Sequence, residues 1–264
     1  MTLHFTKYQA TGNDFVILDN RNGAIKLSID DVQRICDRRF GVGADGVMLL
    51  EKHPSLDFNL VYYNSDGSQS LCGNGTRAAM KMASSLGIVN GKASFNAFDG
   101  AHQAEIVDHG IVKVRMNDVT VPANSDFINT GSPHLIRFVT GLASYPVYEE
   151  GKKLRYSDTF KPGGTNINFI ELLGNNNIYV RTYERGVENE TLSCGTGVTA
   201  AALAVHFKGY DSPIAIKTQG GDLSVQFLAK PSGSPDGGRS QSVTFTDIFL
   251  IGPAKMVFEG DLEL

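Results

Sequence analysis

The stretch SLCGNGTRAAM at residues 70–80 returns in altered form as LSCGTGVTAAAL at residues 192–203. In each copy a cysteine is followed by Gly-polar-Gly and then by residues that favour a helix. The helical segments that follow, TRAAMKMASSLG and VTAAALAVHFKG, are unusually apolar. A helix without a broad polar face has to be surrounded by other structure. We therefore predict that each motif opens a central, buried helix.

The surroundings of these two helices predict strands and a duplication. Short segments with alternating or β-branched and aromatic residues dominate the rest of the chain, as in half-buried strands. A second echo, TGNDFVIL at 11–18 and TGSPHLIR at 130–137, occurs in the same order as the first. We predict an α+β fold of two pseudo-symmetric β-roll domains, each wrapped around a central α-helix. The first spans residues 1–118, completed by a C-terminal strand at 253–264, and the second spans 119–252.

Composition narrows the class of protein. The 264 residues are 41% hydrophobic and 20% charged, with a formal net charge of −4. This balance predicts a globular chain without a nucleic-acid partner. No stretch approaches 18 consecutive apolar residues, and the N-terminus has no apolar signal region, so we expect no membrane partner and a cytoplasmic location. A homodimer is compatible with the sequence, which does not itself fix the oligomeric state.

The three cysteines do not form a disulfide framework by number or context. Cys36 lies in a predicted helix that starts at Ser28, its N-cap, and stops at Gly41. Its apolar face contains Val32, Ile35, Cys36 and Phe40. Cys36 is therefore predicted to be a core thiol, which leaves Cys72 and Cys194 as the pair with a shared context.

The shared context suggests acid–base chemistry. Helix N-termini attract anions, and glycines let the backbone approach a ligand closely. The same field favours a thiolate. If a pseudo-twofold axis brought the two turns face to face, one thiolate could remove the α-proton of a bound amino acid while the opposite thiol returned a proton. This is racemisation or epimerisation without a pyridoxal cofactor.

Other interpretations of the cysteines stay open at this point. A cysteine in a glycine-rich turn is often structural. A zinc site needs about four close ligands, which the scattered histidines do not supply at motif spacing, so no metal is expected. A redox pair of the C-x-x-C type is absent, and no lysine follows the glycines as a phosphate loop requires.

Six motifs together resemble the diaminopimelate epimerase family, in order along nearly the whole chain. They are TGNDF, GVGADG, NSDGSQSLCGNGTR, TGSPH, YERGVENETLSCGTG and TQGGDLSVQF. The resemblance implies paired β-rolls and interconversion of L,L- and meso-2,6-diaminopimelate, in lysine and usually peptidoglycan synthesis. It implies a small-molecule substrate and no cofactor.

The resemblance also implies roles for particular residues. Cys72 and Cys194 would be the acid/base pair. The backbone around the two cysteines would hold the reacting carboxylate, with Gly73, Asn74, Gly195 and Thr196. The remaining polar groups of the substrate would be bound by Asn13, Asn64, Asn166, Glu184 and Arg185. His134 and Glu184 would tune the proton affinity of the cysteines.

Several of these residues also have a purely structural interpretation. Asn64 in YNSDGS is typical of a turn former, and His134 at a strand start is equally consistent with a satisfied structural histidine. Glu184 and Arg185 could be a surface pair of little energy. Asp45 is expected to be a turn residue rather than a ligand.

Three departures from the commonest family pattern concern substrate recognition. Gly46 stands where some members carry glutamine, Ser132 replaces the usual asparagine, and the loop from Asn64 to Cys72 is one residue shorter. Rival hypotheses are therefore a cofactor-independent racemase of another amino acid, such as histidine or a proline derivative, and a non-catalytic amino-acid binding module.

Overall fold

The computed structural model describes residues 2–108, 110–123, 125–232 and 242–264. The helices in these ranges are α1 (Ile29–Cys36), α2 (Gly73–Ser85), α3 (Val147–Arg155) and α4 (Gly195–His206). The first strands are β1 (Thr2–Ala10), β2 (Asn13–Asp19), β3 (Gly46–Glu51), β4 (Phe58–Asn64), β5 (Lys92–Ala97), β6 (Gly100–Asp108), β7 (Ile111–Arg115) and β8 (Val119–Pro122). The later strands are β9 (Phe127–Asn129), β10 (Pro133–Phe138), β11 (Asn166–Gly174), β12 (Asn177–Glu184), β13 (Asn189–Thr191), β14 (Ile214–Thr218), β15 (Gly221–Ser232), β16 (Ser242–Pro253) and β17 (Lys255–Glu263).

The chain forms two compact units. Unit 1 contains Met1–Val114 together with Gly252–Leu264, and unit 2 contains Arg115–Ile251. The domain limits expected from the sequence, after residues 118 and 252, stay a prediction. No helix within the described ranges is long and apolar enough to cross a membrane.

The strand pairings of unit 1 follow a fixed order. β1 pairs antiparallel with β2, β2 parallel with β3, and β3 antiparallel with β4. β4 then pairs parallel with β5, and β5 antiparallel with β6. Helices α1 and α2 make the crossovers that the two parallel pairs require. The last strand, β17, pairs antiparallel with β1 and completes this unit.

Unit 2 repeats the same order of pairings. β9 pairs antiparallel with β10, β10 parallel with β11, and β11 antiparallel with β12. β12 pairs parallel with β14, and β14 antiparallel with β15. Here α3 and α4 make the crossovers. The predicted fold class, two β-rolls each around a central helix, is thereby confirmed.

Helices α2 and α4 are the central helices. All three alanines of α2, together with Met80 and Met82, are buried, and α4 is buried from Val198 to Val205. Each is followed by a glycine in the left-handed region, Gly87 at φ +68° and Gly209 at φ +83°, as predicted for the helix ends. Small side chains let the strands pack closely around both helices.

The prediction for α1 is confirmed at its start and wrong at its end. Ser28 accepts from Asp31 N, and the Asp31 side chain accepts from Ser28 N, which is a capping box. The helix ends at Cys36 rather than near Gly41, because the Asp37 carboxylate accepts from two following backbone N–H groups and turns the chain. Phe40 is consequently 86% exposed, not part of the apolar face. Cys36 is buried as predicted, and burial raises its pKa to about 11.

Candidate active site

Cys72 is the N-cap residue of α2. Its backbone is extended, and its Sγ accepts a hydrogen bond from Gly75 N at 3.4 Å. N-cap side chains usually supply an oxygen for the N–H groups that a helix start leaves without internal partners. Sulfur takes that place here. The thiol therefore lies at the positive end of the helix dipole, which favours its thiolate form.

The side chain of Asn13 lies beside this thiol. Cys72 Sγ donates towards Asn13 Oδ1 at 3.5 Å, and Asn74 Nδ2 donates to the same oxygen at 3.2 Å. Asn13 Nδ2 donates to Asp45 Oδ2 at 2.5 Å. Since the carboxylate can only accept from the amide nitrogen, the carbonyl of Asn13 must face Cys72. The structure thus brings together Asn13, Cys72 and Asn74, three predicted site residues.

An ion-pair network holds Asp45 in place. Arg38 Nη2 lies 2.8 Å from Asp45 Oδ1 and 2.7 Å from Asp14 Oδ1, and Lys7 Nζ lies 2.7 Å from Asp14 Oδ2. Burial disfavours the Asp14 carboxylate, but hydrogen bonds from Arg38 and Lys7 outweigh it and lower its pKa to about 2. Burial and the charge of Asp14 raise the pKa of Asp45. Asp45, expected as a turn residue, also orients the Asn13 amide.

Arg77 is a fully buried cation on α2. Its guanidinium donates to Thr11 Oγ1 at 3.1 Å, Pro253 O at 3.4 Å and Gly73 O at 3.5 Å. Burial lowers its pKa to about 10, which leaves it charged at neutral pH. Arg77 therefore ties the start of α2, including the predicted site residue Gly73, to the β1–β2 turn and to the end of β16.

Asn64 makes the contacts of a turn former. Its Nδ2 donates to Ser68 O at 3.2 Å, Ser68 Oγ at 3.0 Å and Ser70 Oγ at 3.2 Å. These bonds close the loop that leads from β4 to Cys72. Its role in binding a substrate stays a prediction.

Gly46 has no room for a side chain. It lies opposite Asn64 in the β3–β4 pairing. A Cβ added here would meet Tyr62 Cε2 at 2.4 Å and Tyr63 O at 2.5 Å. The Tyr62 ring occupies the space that a glutamine at this position would need, so residue 46 can offer only its backbone.

Cys194 is the N-cap residue of α4 in unit 2. Its Sγ lies 3.6 Å from Thr196 Oγ1 in the first turn of the helix, which begins at Gly195. A Cβ at Gly197 would lie 3.3 Å from Cys194 Sγ and 2.4 Å from Asn168 Oδ1. The second glycine of the motif is therefore required by close packing around the thiol.

His134 contacts the same first turn. Its Nε2 lies 2.9 Å from Thr196 Oγ1, and its Nδ1 lies 3.0 Å from Asn168 Nδ2. The ring is fully buried, and burial together with the charge of Arg185 lowers its pKa to about 3. His134 is thus a neutral, hydrogen-bonded histidine, one side chain removed from Cys194. A role in tuning that cysteine stays a prediction.

Asn166 joins two other parts of the predicted site. Its Oδ1 accepts from Arg185 N at 2.8 Å, and its Nδ2 donates to Ser132 Oγ and Pro133 O, both at 2.9 Å. Ser132, the second departure from the family pattern, therefore accepts a hydrogen bond from the Asn166 amide.

Glu184 and Arg185 follow at the end of β12, on the turn into β13. Arg185 is exposed, and its Nη1 donates to Gly163 O at 3.3 Å. Glu184 Oε2 accepts from Thr191 Oγ1 at 2.8 Å. The turn is fixed by Glu188, whose Oε1 accepts from Gly186 N at 3.0 Å and from Arg155 Nη2 at 2.9 Å.

The sequence did not predict the residues that support the predicted site residues, namely Asn168, Arg77 and Lys7. Asn168 lies two residues from Asn166 on β11, so both side chains point to one face. Two asparagines at that spacing inside the apolar run NINFI are a recognisable signal. No comparable sequence pattern indicates a role for Arg77 or Lys7. In the described ranges, no group of three or more His, Cys, Asp or Glu side chains could hold a metal ion.

Comparison with known proteins places this arrangement in a family. Residues 5–122 and 127–237 match the family model described as diaminopimelate epimerase. A diaminopimelate epimerase of Flavobacterium psychrophilum is 46% identical over 260 residues, covering 96% of this chain and 97% of the relative. One from Aquifex aeolicus is 36% identical and covers 98% of both chains.

Solved structures with much lower sequence identity share the fold. A hydroxyproline epimerase from Agrobacterium vitis matches with a TM-score of 0.70 at 14% identity, covering 100% of this chain and 93% of that one. A PhzF-family protein of Bacillus anthracis also gives 0.70 at 16% identity, with both chains fully covered. The family matches, together with the duplicated cysteine helices, define an enzyme of the isomerase class. The chain belongs to the diaminopimelate epimerase family.

Proposed function

We propose that the protein interconverts L,L- and meso-2,6-diaminopimelate, a step in the synthesis of lysine and, in most bacteria, peptidoglycan. The observation that carries the proposal is the equivalence of Cys72 and Cys194. Each is the N-cap residue of the central helix in its unit. Family membership supplies the substrate.

The proposed reaction is a two-base proton transfer. One cysteine thiolate takes the α-proton, so that a C–H bond breaks and an S–H bond forms while the electron pair stays on the substrate. The other cysteine then gives its thiol proton to the opposite face of the same carbon. The proposal requires both sulfurs to reach the α-carbon of one substrate molecule.

The two helix starts would stabilise the charge that develops. The first hydrogen bonds within the helices are Thr76 N to Cys72 O and Val198 N to Cys194 O. The N–H groups of the first turns lie before these bonds, at Gly73, Asn74, Gly195 and Thr196. These donors suit a carboxylate that gains negative charge when the α-proton leaves.

The far end of the substrate would be bound by Arg185 and its neighbours. A guanidinium has five N–H donors, so donation to Gly163 O leaves capacity for a bidentate bond to the distal carboxylate. Asn166 fixes the backbone of Arg185. Glu184 would pair with the distal ammonium. The cytoplasmic location and the homodimer expected from the sequence stay predictions.

Incubation of L,L-diaminopimelate with the protein in heavy water tests this function. We expect meso-diaminopimelate to form with one deuterium at the inverted carbon. The same incubation with histidine, proline and hydroxyproline tests the rival racemases. A non-catalytic binding module would leave every amino acid in the panel without deuterium, and exchange confined to another amino acid would contradict the proposed substrate.

A further inference from the structure

A chain of hydrogen bonds, buried at its start and partly buried at its end, leads through unit 2 to Cys194. Thr182 Oγ1 lies 2.9 Å from Asn168 Oδ1, and Asn168 Nδ2 lies 3.0 Å from His134 Nδ1. His134 Nε2 then lies 2.9 Å from Thr196 Oγ1, which lies 3.6 Å from Cys194 Sγ. Asn168 and His134 are completely buried. Five side chains from β10, β11, β12 and the start of α4 thus form one continuous path.

The direction of donation along this path is determined by Asn168. Its Nδ2 also lies 3.3 Å from the backbone carbonyl of Leu135, which can only accept. The Asn168 amide is therefore oriented with Nδ2 towards β10, and His134 Nδ1 has to be the acceptor. A neutral imidazole with an accepting Nδ1 carries its proton on Nε2. His134 then donates to Thr196 Oγ1, so the Thr196 hydroxyl keeps its own hydrogen for a second partner, and Cys194 Sγ lies 3.6 Å away. A thiolate at Cys194 has no hydrogen to donate and can only accept from that hydroxyl.

We propose that Asn168 is a positioning residue that holds His134 as the Nε2–H tautomer, so that a one-directional chain of donors ends on the sulfur of Cys194. This inference rests on the proposed function, because the series of hydrogen bonds has a purpose only if Cys194 acts as an acid and base. Each donor polarises the next, and a hydroxyl that donates to sulfur stabilises the thiolate. The opposite tautomer would accept from Thr196 and withdraw that donor.

The charged side chains on the strands that pack against α4 are not members of this chain of hydrogen bonds. Arg185 and Glu184 lie at the end of β12, next to Asn166. Other charges on strands that pack against α4 are engaged elsewhere: Arg137 pairs with Asp126, Arg181 with Glu190, Glu171 accepts from the backbone N–H groups of residues 141 and 142, and Lys217 lies over the Tyr179 ring. Asp222 and Lys230 on β15 are the remaining charges on those strands.

The tautomer can be measured directly in the unmodified protein. Nitrogen NMR of protein labelled with ¹⁵N-histidine distinguishes a protonated from an unprotonated ring nitrogen, and His134→Gln assigns the signals. We expect Nε2 protonated and Nδ1 unprotonated near neutral pH. A proton on Nδ1 would overturn the proposal. The measurement is made on the unmodified protein, so the only variant that has to fold is the one used for assignment.

A double-mutant cycle tests the effect on Cys194. The readout is the pH midpoint of Cys194 alkylation by iodoacetamide, followed by peptide mass spectrometry. Asn168→Asp cannot donate to Nδ1 and should reverse the tautomer, and Thr196→Val removes the last donor. Each should raise the midpoint by about one pH unit, a tenfold loss of thiolate at a fixed lower pH.

Combining the two substitutions distinguishes an effect of the His134 tautomer from an effect of the added negative charge alone. If Asn168→Asp already withdraws the Thr196 hydroxyl, then Thr196→Val adds nothing further to it. Additive shifts would mean that the new carboxylate acts only through its charge, and the proposal would be wrong. Asn22→Asp, at an exposed turn where the side-chain oxygen only accepts, is the matched control and should leave the midpoint unchanged. Because alkylation needs no substrate, these results stand apart from whether diaminopimelate is turned over.

Discussion

Cys72 and Cys194 hold the same local geometry in two different units. The backbone angles are φ −126° and ψ 109° at Cys72, and φ −120° and ψ 113° at Cys194. Each residue has an extended backbone and stands at the N-cap position of a helix that the surrounding strands bury. The duplicated fold therefore delivers two nearly identical thiol sites, and the differences between them lie in the side chains that support each sulfur.

Asn13 supports Cys72 directly. We expect Asn13→Ala to lower kcat/KM for diaminopimelate by about 3- to 10-fold, because Asn13 Oδ1 orients the Cys72 thiol and the Asn74 amide, and a hydrogen bond between neutral groups contributes roughly 0.5–1.5 kcal/mol. Asn22→Ala, at an exposed turn of the same unit, is the control. Equal kcat/KM for the two variants would exclude Asn13 from the site.

Asp14 stabilises unit 1 through Lys7, whose side chain is only 6% exposed. We expect Asp14→Asn to lower the free energy of unfolding by about 3 kcal/mol, since it leaves the Lys7 ammonium buried without its counter-charge. Asp126→Asn breaks the exposed pair with Arg137 and should cost less than about 1 kcal/mol. Urea unfolding of the two variants and the parent gives the comparison, and similar losses would contradict the network.

His134 makes the stability of the fold depend on pH. Its pKa is lowered to about 3, so the unfolded chain binds a proton near pH 6.5 while the folded chain does not. The stabilisation is complete above pH 6.5 and is lost progressively as the pH falls towards 3. Compared with His134→Gln, the wild type should lose about 1 kcal/mol more per pH unit between pH 6 and 4. Parallel stability curves for the two proteins would show that His134 titrates normally.

Gly46 is expected to tolerate no side chain. Gly46→Ala should lower the melting temperature, because its Cβ would overlap the Tyr62 ring and the Tyr63 carbonyl in the β3–β4 pairing. At Gly163 an added Cβ would meet nothing within 4 Å, so Gly163→Ala is the matched control. An unchanged melting temperature for Gly46→Ala would mean that the Tyr62 ring moves aside without cost.

The sequence predicts those parts of the fold that have local patterns. Alternation marks strands such as β4 and β12, and the two apolar helices with their closing glycines mark the centre of each unit. Helix α3 was not predicted, because its sequence VYEEGKKLR buries little beyond Val147 and Gly151. Strand β11 was not predicted either, since two buried asparagines interrupt its apolar run.

The site residues likewise fall into two groups, those that local motifs predict and those whose contacts depend on strand pairing. The motifs contain Asn13, Cys72 and Asn74, and the structure joins these side chains by hydrogen bonds. The contact between His134 and Asn168 depends on the parallel register of β10 and β11, which pairs His134 with Asn166 and Ile136 with Asn168. No local pattern encodes that register. Support for the thiols is therefore visible only once the strands are paired.

The isotope content of recovered substrate at early times tests the two-cysteine mechanism most directly. L,L-diaminopimelate is incubated with the wild-type protein in heavy water, and both diastereomers are isolated after a few per cent conversion. If one cysteine removes the proton and the other supplies a different one, the meso product carries solvent deuterium while the recovered L,L substrate keeps its α-hydrogen. Deuterium appearing in the recovered substrate as fast as in the product would mean that a single base serves both faces, and would contradict the account.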